Sequence, residues 1–478
     1  MSAVGPALAV KLPGAGVVAG VLVGALLVVG VLVVLMRRRP EAFPLLAILA
    51  LPFRLPISAE GRTVNLLIPL YLVVAAGAVA HLVPQMLAGK SAATADVGAT
   101  KGPGALPDHD VGPARDAVSL RRPSTWLSPR GLELVLITAV ALYAVQTIYS
   151  ADHAKAAANL AFFYIPFAML FLLLRDIHWT RQLLLQCLAI AVALAVIFAG
   201  IGFVEYGRKE LFLNPKVVAA NEYDNYFRVN SVFFDPNIYG RFLALVAIGV
   251  TTVVLWASRR RDVLLGAAVL AWLIAGLVTS FSQSSIAALL LGLAVLAAWR
   301  WDVRGTLYVA AGVLALGVAL VLLAPASLHF GLKGTGGSTS NATSGRTKLI
   351  SGGLELFAKR PLQGYGPGSF EKEYKRQDIN AGAQNATSAS HTIPVTVAAE
   401  QGILGLAVYV VVLLSALIVL FRGAGRSPPR IAIAACFAGL LLHTWTYADF
   451  LEDPMTWTLL GIGAALAAAA RTGRASSF

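Results

Sequence analysis

Two short segments place polar side chains where an apolar stretch begins, and the first has the residue types that bind anions. Asp235-Pro236-Asn237 precedes an apolar run; Asp is a preferred helix N-cap and Pro suits the first turn, so a helix is expected to begin here. The free N–H groups and the positive dipole end of such a start favour phosphate. We therefore expect Asn237, Arg228 and Arg241 to bind an anionic group, with Arg241 one helical turn below Asn237. The alternatives are an Arg241 that snorkels to the nearest polar surface and an ordinary loop charge at Arg228.

The second segment, His391-Thr392-Ile393-Pro394, offers a candidate base at the start of another apolar run. The dipole of a helix N-terminus disfavours the cationic form of a nearby imidazole, which therefore tends to remain neutral at pH 7. A neutral imidazole can accept a proton from a hydroxyl group. We therefore consider His391 a candidate general base, with a structural histidine as the alternative.

Other polar or glycine-rich positions near these segments have open roles. Glu400-Gln401 is a polar pair within an apolar run, and its role is undecided. Gly402 and Gly405 favour close helix packing. Residues 361–368 (PLQGYGPG) have the glycines of either a shaped ligand loop or a plain turn cluster. They are not a P-loop, because no Lys-Ser/Thr follows at the required spacing.

The residues with metal-binding side chains do not form a recognisable metal site. Cys187 and Cys436 both lie in apolar runs, where they act as small hydrophobes and imply neither a disulfide framework nor a Cys-based metal site. Asp449, Glu452 and Asp453 form an acidic group that we expect to be a solvated turn. Binding of a cation or of an acceptor is the alternative for that group.

The elements that carry these residues are predicted to be membrane-spanning helices. The 478 residues are 58% hydrophobic and 13% charged, with a mean hydropathy of +0.74, which excludes a water-soluble globule. A spanning helix needs about 20 mainly apolar residues. We predict twelve or thirteen spans in a single domain, 1–478, the weakest being 41–58 because prolines and Arg54 interrupt it. The thirteen candidates are 15–36, 41–58, 64–87, 132–149, 157–174, 183–203, 238–257, 263–279, 286–299, 306–325, 393–421, 431–448 and 456–470.

The distribution of arginine predicts the orientation of these spans. Short cytoplasmic loops concentrate Lys and Arg. If the Arg37-Arg38-Arg39 triplet is cytoplasmic and the spans alternate in direction, the other arginine clusters also lie in cytoplasmic loops. The chain then begins outside and ends inside. Residues 88–131 become a flexible cytoplasmic loop, and 326–390 an extracytoplasmic loop. The net charge of +14 is explained by these topology markers, so a nucleic-acid-binding protein is not expected.

Taken in order, these motifs resemble the O-antigen ligase family, which includes bacterial protein O-oligosaccharyltransferases. His391, Thr392, Gly402 and Gly405 follow the family pattern of His, Asn/Ser/Gln, nine residues, Gly, two residues and a small or aromatic position, with Thr in the second place. Arg346-Thr-Lys-Leu-Ile350 resembles the family's Arg-x-x-x-Leu motif, with Ile for Leu. The cap at 235–237, the span start at 279–282 and the 361–368 segment are also similar. The likeness covers residues 225–420, which we expect to be the catalytic region.

The resemblance implies an all-α polytopic glycosyltransferase of GT-C-like fold in the bacterial inner membrane. Such an enzyme transfers a glycan from a polyprenyl-diphosphate-linked donor to a lipid or other cell-envelope hydroxyl, as in lipopolysaccharide assembly, at a site facing the periplasm or cell exterior. It uses neither a metal nor another cofactor, and a direct displacement inverts the anomeric centre. His391 would be the catalytic base, and Arg228, Arg241, Arg346 and Asn237 would bind the substrate.

Two other functions remain open at this stage. A polysaccharide polymerase would use the same lipid-linked donors, and the sequence does not separate it from a ligase. A transporter or flippase of lipid-linked glycans would also place charges among spans, but it would favour broken helices in two related halves. We find no convincing internal repeat, and the long one-sided loop suits an enzyme better.

Overall fold

A computed structural model provides the fold of the chain. It describes residues 15–59, 62–84, 127–212, 227–301, 304, 305, 308, 339–377, 390, 392–447 and 449–472. The predicted span 306–325, apart from residue 308, and the predicted loop 88–131, apart from 127–131, therefore lie outside the described residues. Of the predicted loop 326–390, residues 339–377 and 390 are described.

Helices form nearly all of the described structure, which confirms the predicted all-α class. In chain order the elements are α1 (Ala15–Arg38), α2 (Ala42–Ala50), β1 (Leu55–Ala59), β2 (Arg62–Leu66), α3 (Ile68–Leu82), α4 (Pro129–Thr147), α5 (His153–Arg175), α6 (Arg181–Arg208), α7 (Pro236–Trp256), α8 (Arg260–Thr279), α9 (Gln283–Arg300), α10 (Thr339–Lys359), α11 (Phe370–Arg376), α12 (Ile393–Phe421), α13 (Pro428–Thr446) and α14 (Pro454–Arg471).

Within the described residues, eight of these helices, α1, α4 to α9 and α12, are long and apolar enough to cross a membrane. The chain is therefore a multi-pass membrane protein, as predicted. Helices α13 and α14 have 19 and 18 residues but are less apolar, and they pack among the others.

The predicted span 41–58 is not a continuous helix. Helix α2 ends at Ala50, and residues 55–59 pair instead with 62–66 as a two-stranded antiparallel hairpin. Proline disrupts a helix interior because it lacks an N–H and clashes with the preceding turn, and Pro52 and Pro56 both lie in this stretch. The break leaves Arg54 between α2 and the hairpin.

Contacts between helix termini define two ends of the bundle. At one end, which we call the arginine end, Arg175 at the end of α5 forms an ion pair with Glu133 in α4, and Arg471 of α14 donates to the carbonyl of Leu127 at 3.3 Å. At the opposite end, the site end, α8 stops at Thr279 and α7 and α12 begin. The helices predicted to terminate on one side of the membrane thus do so together.

Small residues set the distance between the helices beneath the site end. A Cβ at Gly439 of α13 would lie 2.6 Å from the carbonyl oxygen of Ala288 in α9, so only glycine permits this approach. Membrane helices associate through such close packing because lipid provides no hydrophobic drive between them. The contact brings the polar starts of α7 and α9 against the last turn of α13.

Candidate functional site

Asn237 is the centre of a hydrogen-bonded group at the start of α7. Asp235 is the N-cap, and its carboxylate accepts from the backbone N–H of Asn237 at 2.6 Å, as predicted from the Asp-Pro-Asn sequence. The side-chain oxygen of Asn237 accepts from the Arg228 guanidinium at 3.2 Å and from the Ser282 hydroxyl at 2.9 Å. Arg228 also donates to the carbonyl of Ser280 at 3.2 Å. The structure therefore brings Arg228 and Asn237 together, as the sequence predicted.

A buried histidine that the sequence interpretation missed extends this group. His443, near the end of α13, is fully buried, and its Nε2 lies 3.2 Å from the Ser285 hydroxyl and 3.3 Å from that of Ser284. Ser285 in turn donates to the carbonyl of Asn237 at 3.2 Å. Since an ionisable residue inside a predicted span is rare and commonly functional, that rule would have identified His443.

Arg241 lies one turn below Asn237 and is fully buried, so the snorkelling alternative is wrong. Its Nη2 is 2.9 Å from a carboxylate oxygen of Asp453, which is also fully buried. The two atoms are close enough for an ion pair, but they are not aligned as a hydrogen bond. All three guanidinium nitrogens consequently lack a hydrogen-bond acceptor among the described residues. Buried N–H groups without acceptors are costly, so the described residues leave the hydrogen-bonding capacity of Arg241 unmet.

The acidic group at 449–453 is not the solvated turn that the sequence predicted. Asp453 is buried and caps α14 through its contact with the backbone N–H of Met455 at 3.0 Å. Asp449 is partly buried with positive φ (67°). Burial raises the pKa of its carboxyl, which Arg241 and Arg54 counteract by their positive charge. Arg54, displaced from the predicted span 41–58, therefore faces the site as an additional cation.

Glu400, undecided from the sequence, anchors the glycine-rich loop 361–368. Its two carboxylate oxygens accept from the backbone N–H groups of Gly368 at 2.8 Å and Phe370 at 2.9 Å. The alternative of a plain turn cluster is thus favoured for this loop, because its main chain bonds to α12 and, through the carbonyls of Gln363, Tyr365 and Pro367, to the residues after α4.

A break in α12 explains why the loop docks there. Gly402 has φ 65° and ψ −164° and interrupts the helix, which leaves carbonyl groups of the preceding turn without their helical partners. The N–H of Gly366 donates to the Glu400 carbonyl at 2.7 Å, and the Gln146 side chain donates to the Gln401 carbonyl at 3.1 Å. We predicted a continuous helix over 393–421 and assigned Gly402 to packing. The glycine instead permits both the break and the close approach of Leu362.

A cavity of about 140 Å³ opens beside the start of α12, between α4, α5 and the 449–452 segment. Its walls include Ile393 and Thr396, the first residues of α12, which follow His391 closely in sequence. Its remaining walls combine polar and apolar side chains, including Ala139, Tyr143, Lys155, Asn159, Tyr164, Glu400, Tyr409, Val412 and Glu452.

The two other predicted site residues are less completely placed. His391 lies outside the described residues. Helix α12 begins at Ile393, as predicted, and Thr392 is its N-cap. Arg346 lies in α10, and its side chain is not described. Neighbouring Ser390 is fully buried and donates to the Thr392 carbonyl at 2.8 Å, so the entry to α12 is fixed on both sides of His391.

The fold and the site together define the class of protein: a polytopic membrane protein with arginine, amide and hydroxyl groups gathered at one end of its helices. The family model described as O-antigen ligase matches residues 268–410, and this match assigns the region to that family, confirming the resemblance found in the motifs. Ser282, Arg346, His391 and Gly402 all fall inside the matched region. No curated protein matches the chain. O-antigen ligase-like glycan transfer is thus the broad activity indicated.

Proposed function

We propose that the protein transfers a glycan from a polyprenyl-diphosphate donor to a hydroxyl of a lipid or other cell-envelope acceptor. The reaction takes place at the site end of the bundle, which faces the exterior of the inner membrane. The observation that carries the proposal is the group formed by Arg228, Asn237 and Ser282 at the start of α7, of which Ser282 lies in the region that matches the family. The orientation rests on the arginines at the opposite end.

The leaving group explains the need for cations. The acceptor oxygen attacks the anomeric carbon, the bond from that carbon to the diphosphate oxygen breaks, and the electron pair leaves with the lipid diphosphate. Fixed cations and dipoles in a site shielded from water stabilise this growing charge without reorganising. Arg228 and Arg241, with the α7 N-terminus, supply such charges, and Arg346 of α10 is the third arginine we assign to donor binding.

The attacking hydroxyl must lose its proton, and we assign that proton to the His391 imidazole. His443 is less suited to this role because its Nε2 already contacts two serine hydroxyls. A single displacement inverts the anomeric configuration, and none of these steps requires a metal ion. We therefore expect EDTA to leave transfer intact and the product linkage to have the opposite configuration to the donor.

Substitution of the base tests the proposal most directly. His391→Ala should abolish transfer while the protein still inserts and accumulates, whereas His178→Ala, which changes an exposed histidine outside the site, should retain it. The measurement is transfer from a purified lipid-linked donor in nanodiscs. Normal transfer by His391→Ala would refute the assignment of the base.

Deletion of the gene in the host distinguishes a ligase from a polymerase. Loss of a ligase should leave complete glycan chains on their lipid carrier. Accumulation of single lipid-linked repeat units would identify a polymerase instead.

The diphosphate group is tested at Arg228. Arg228→Ala should lower turnover at least tenfold, which corresponds to about 1.4 kcal/mol of transition-state stabilisation. Arg208→Ala removes an exposed arginine at the end of α6 and serves as the matched control for net charge. Equal turnover by the two variants would refute the role of Arg228 in donor binding.

A further inference from the structure

The cavity beside α12 is lined by acidic rather than basic groups. Glu400, Asp449 and Glu452 all line it, and Lys155 is the cation on its wall. A diphosphate is disfavoured in such a place, because it would meet three carboxyl groups and a single lysine on the wall. The described residues contain no group of His, Cys, Asp and Glu arranged to hold a metal ion. The occupant that suits this cavity is therefore organic and either uncharged or cationic.

Glu452 provides a hydrogen-bond acceptor inside the cavity. Asn159 donates to one of its oxygens at 2.9 Å, and no described residue donates to the other. The carboxylate of Glu400, in contrast, is occupied by the backbone of the glycine-rich loop. Glu452 thus has capacity for a ligand hydroxyl, whereas Glu400 does not.

Tyr143 provides an independent indication of a ligand. Its side chain is only 2% exposed and lines the cavity, yet its hydroxyl makes no hydrogen bond within the described part of the chain. The Asn159 side chain lies near this hydroxyl, but its one aligned hydrogen bond goes to Glu452. A buried hydroxyl without a partner is costly, so the position is favourable for a molecule that brings its own hydroxyl groups.

The remaining walls fit a sugar ring. The rings of Tyr143 and Tyr164 lie 4.0 Å apart between centroids, and Ala139 and Val412 form apolar wall. Aromatic surface combined with a few placed polar groups is the usual composition of a small-molecule site. The volume of about 140 Å³ is below the roughly 300 Å³ of a site for a drug-sized molecule, which suits one ring and not a longer chain.

We propose that this cavity binds one hydroxyl-rich, uncharged or aminated sugar ring of the acceptor, with Glu452 and the Tyr143 hydroxyl as its hydrogen-bonding groups. That the bound ring belongs to the acceptor rests on the proposed function, but the binding of a sugar ring can be measured without any reaction. Phosphorylated rings are disfavoured, because the cavity offers a phosphate one lysine beside three carboxyl groups. The enzyme would thereby separate its substrates by charge, the donor diphosphate at the arginines and the acceptor ring at the carboxylates.

Binding is tested with three soluble probes and the full chain in nanodiscs. Methyl β-glucoside, methyl β-glucosaminide and methyl β-glucoside 6-phosphate are compared by saturation-transfer difference NMR. We expect the neutral and aminated probes to give signals at least tenfold stronger than the phosphorylated one. Glu452→Gln and Tyr143→Phe should each weaken the neutral signal at least threefold.

The controls are chosen outside the cavity. Glu355→Gln changes an exposed carboxyl that is paired with Lys359, and Tyr374→Phe changes a buried tyrosine that contacts α10; both should bind as the unmodified protein does. Equal binding by all four variants, stronger binding of the phosphorylated probe, or no signal from any probe would overturn the inference. Both cavity variants are checked for cooperative thermal unfolding well above the assay temperature, and a Val412→Phe variant, which fills the cavity, should abolish binding independently.

The two proposals fail in different ways. A protein that binds the glucoside through Glu452 but transfers no glycan contradicts the proposed function alone. A protein that transfers glycan with an acceptor KM that is unchanged in Glu452→Gln and Tyr143→Phe contradicts the acceptor cavity alone.

Discussion

Arg241 and Asp453 illustrate how a single buried pair can serve both stability and chemistry. Both side chains are fully buried, and the guanidinium has no aligned acceptor among the described residues. Removal of one member of a buried ion pair leaves an uncompensated charge and typically costs about 3–5 kcal/mol. A loss of activity in a single Arg241 variant would therefore not by itself identify a substrate ligand.

A double substitution separates the two roles. We expect Arg241→Leu to lower the thermal unfolding midpoint strongly, and Arg241→Leu with Asp453→Asn to recover much of the loss, because asparagine retains the cap of α14 without a buried charge. Transfer by the double variant should stay at least tenfold below normal if Arg241 also contacts the donor. Normal transfer by a stable double variant would remove Arg241 from the donor site.

Glu452 should make stability depend on pH. Burial, with smaller contributions from the charges of Asp449 and Glu400, raises the pKa of Glu452 from its ordinary 4.5 to about 8. The folded state thus prefers the protonated carboxyl, so the contribution of Glu452 to stability is complete below pH 4.5 and is lost as the pH rises towards 8. We expect the thermal midpoint of the unmodified protein to fall relative to that of Glu452→Gln over this range. Parallel curves would contradict the raised pKa.

At the residue scale, the sequence predicted what depends on neighbours along the chain. The cap at Asp235 and the helix start at Ile393 follow from adjacent residue types, and both are confirmed. The partners of Arg241 and Asn237 come from distant segments, Asp453 and Ser282, and no local pattern reports such pairings. The burial of the acidic group was missed for the same reason.

At the scale of the elements, the structure of the site end depends on the break in α12, where loop 361–368 docks. A Cβ at Gly402 would collide with the carbonyl of Leu362, and its φ of 65° is unfavourable for other residues. The break could not be predicted from hydropathy, because the apolar run continues through it without a proline. The interruption after α2, by comparison, was indicated in the sequence by prolines and by Arg54 within the predicted span 41–58.

Alanine substitutions test the break. Gly402→Ala should lower the thermal midpoint and reduce transfer, since it opposes both the backbone conformation and the docking of loop 361–368. Gly200→Ala in α6 is the matched control, because a Cβ there meets only Trp272 at 3.8 Å and helical alanine is favoured over glycine. A Gly402→Ala protein as stable as Gly200→Ala would indicate that the helix does not need the break.

At the scale of the whole molecule, the arginine pattern predicts which end of the bundle faces the cytoplasm. In a background without Cys187 and Cys436, Leu362→Cys in the exposed loop should react with a membrane-impermeant maleimide in intact spheroplasts. Arg260→Cys at the start of α8 should react only after permeabilisation. The reverse pattern would place the site end in the cytoplasm and contradict the proposed function.

The contact between loop 361–368 and α12 uses main-chain atoms on the loop side throughout. Gly364, Gly366 and Gly368 have positive φ, but the side chains between them make none of the hydrogen bonds that join the loop to the helix break. Evolution can therefore vary the exposed Leu362 and Gln363 side chains without disturbing the scaffold, whereas Tyr365 packs in a buried apolar cluster. Divergence among descendants of this chain should accumulate at positions 362 and 363, while the three glycines persist.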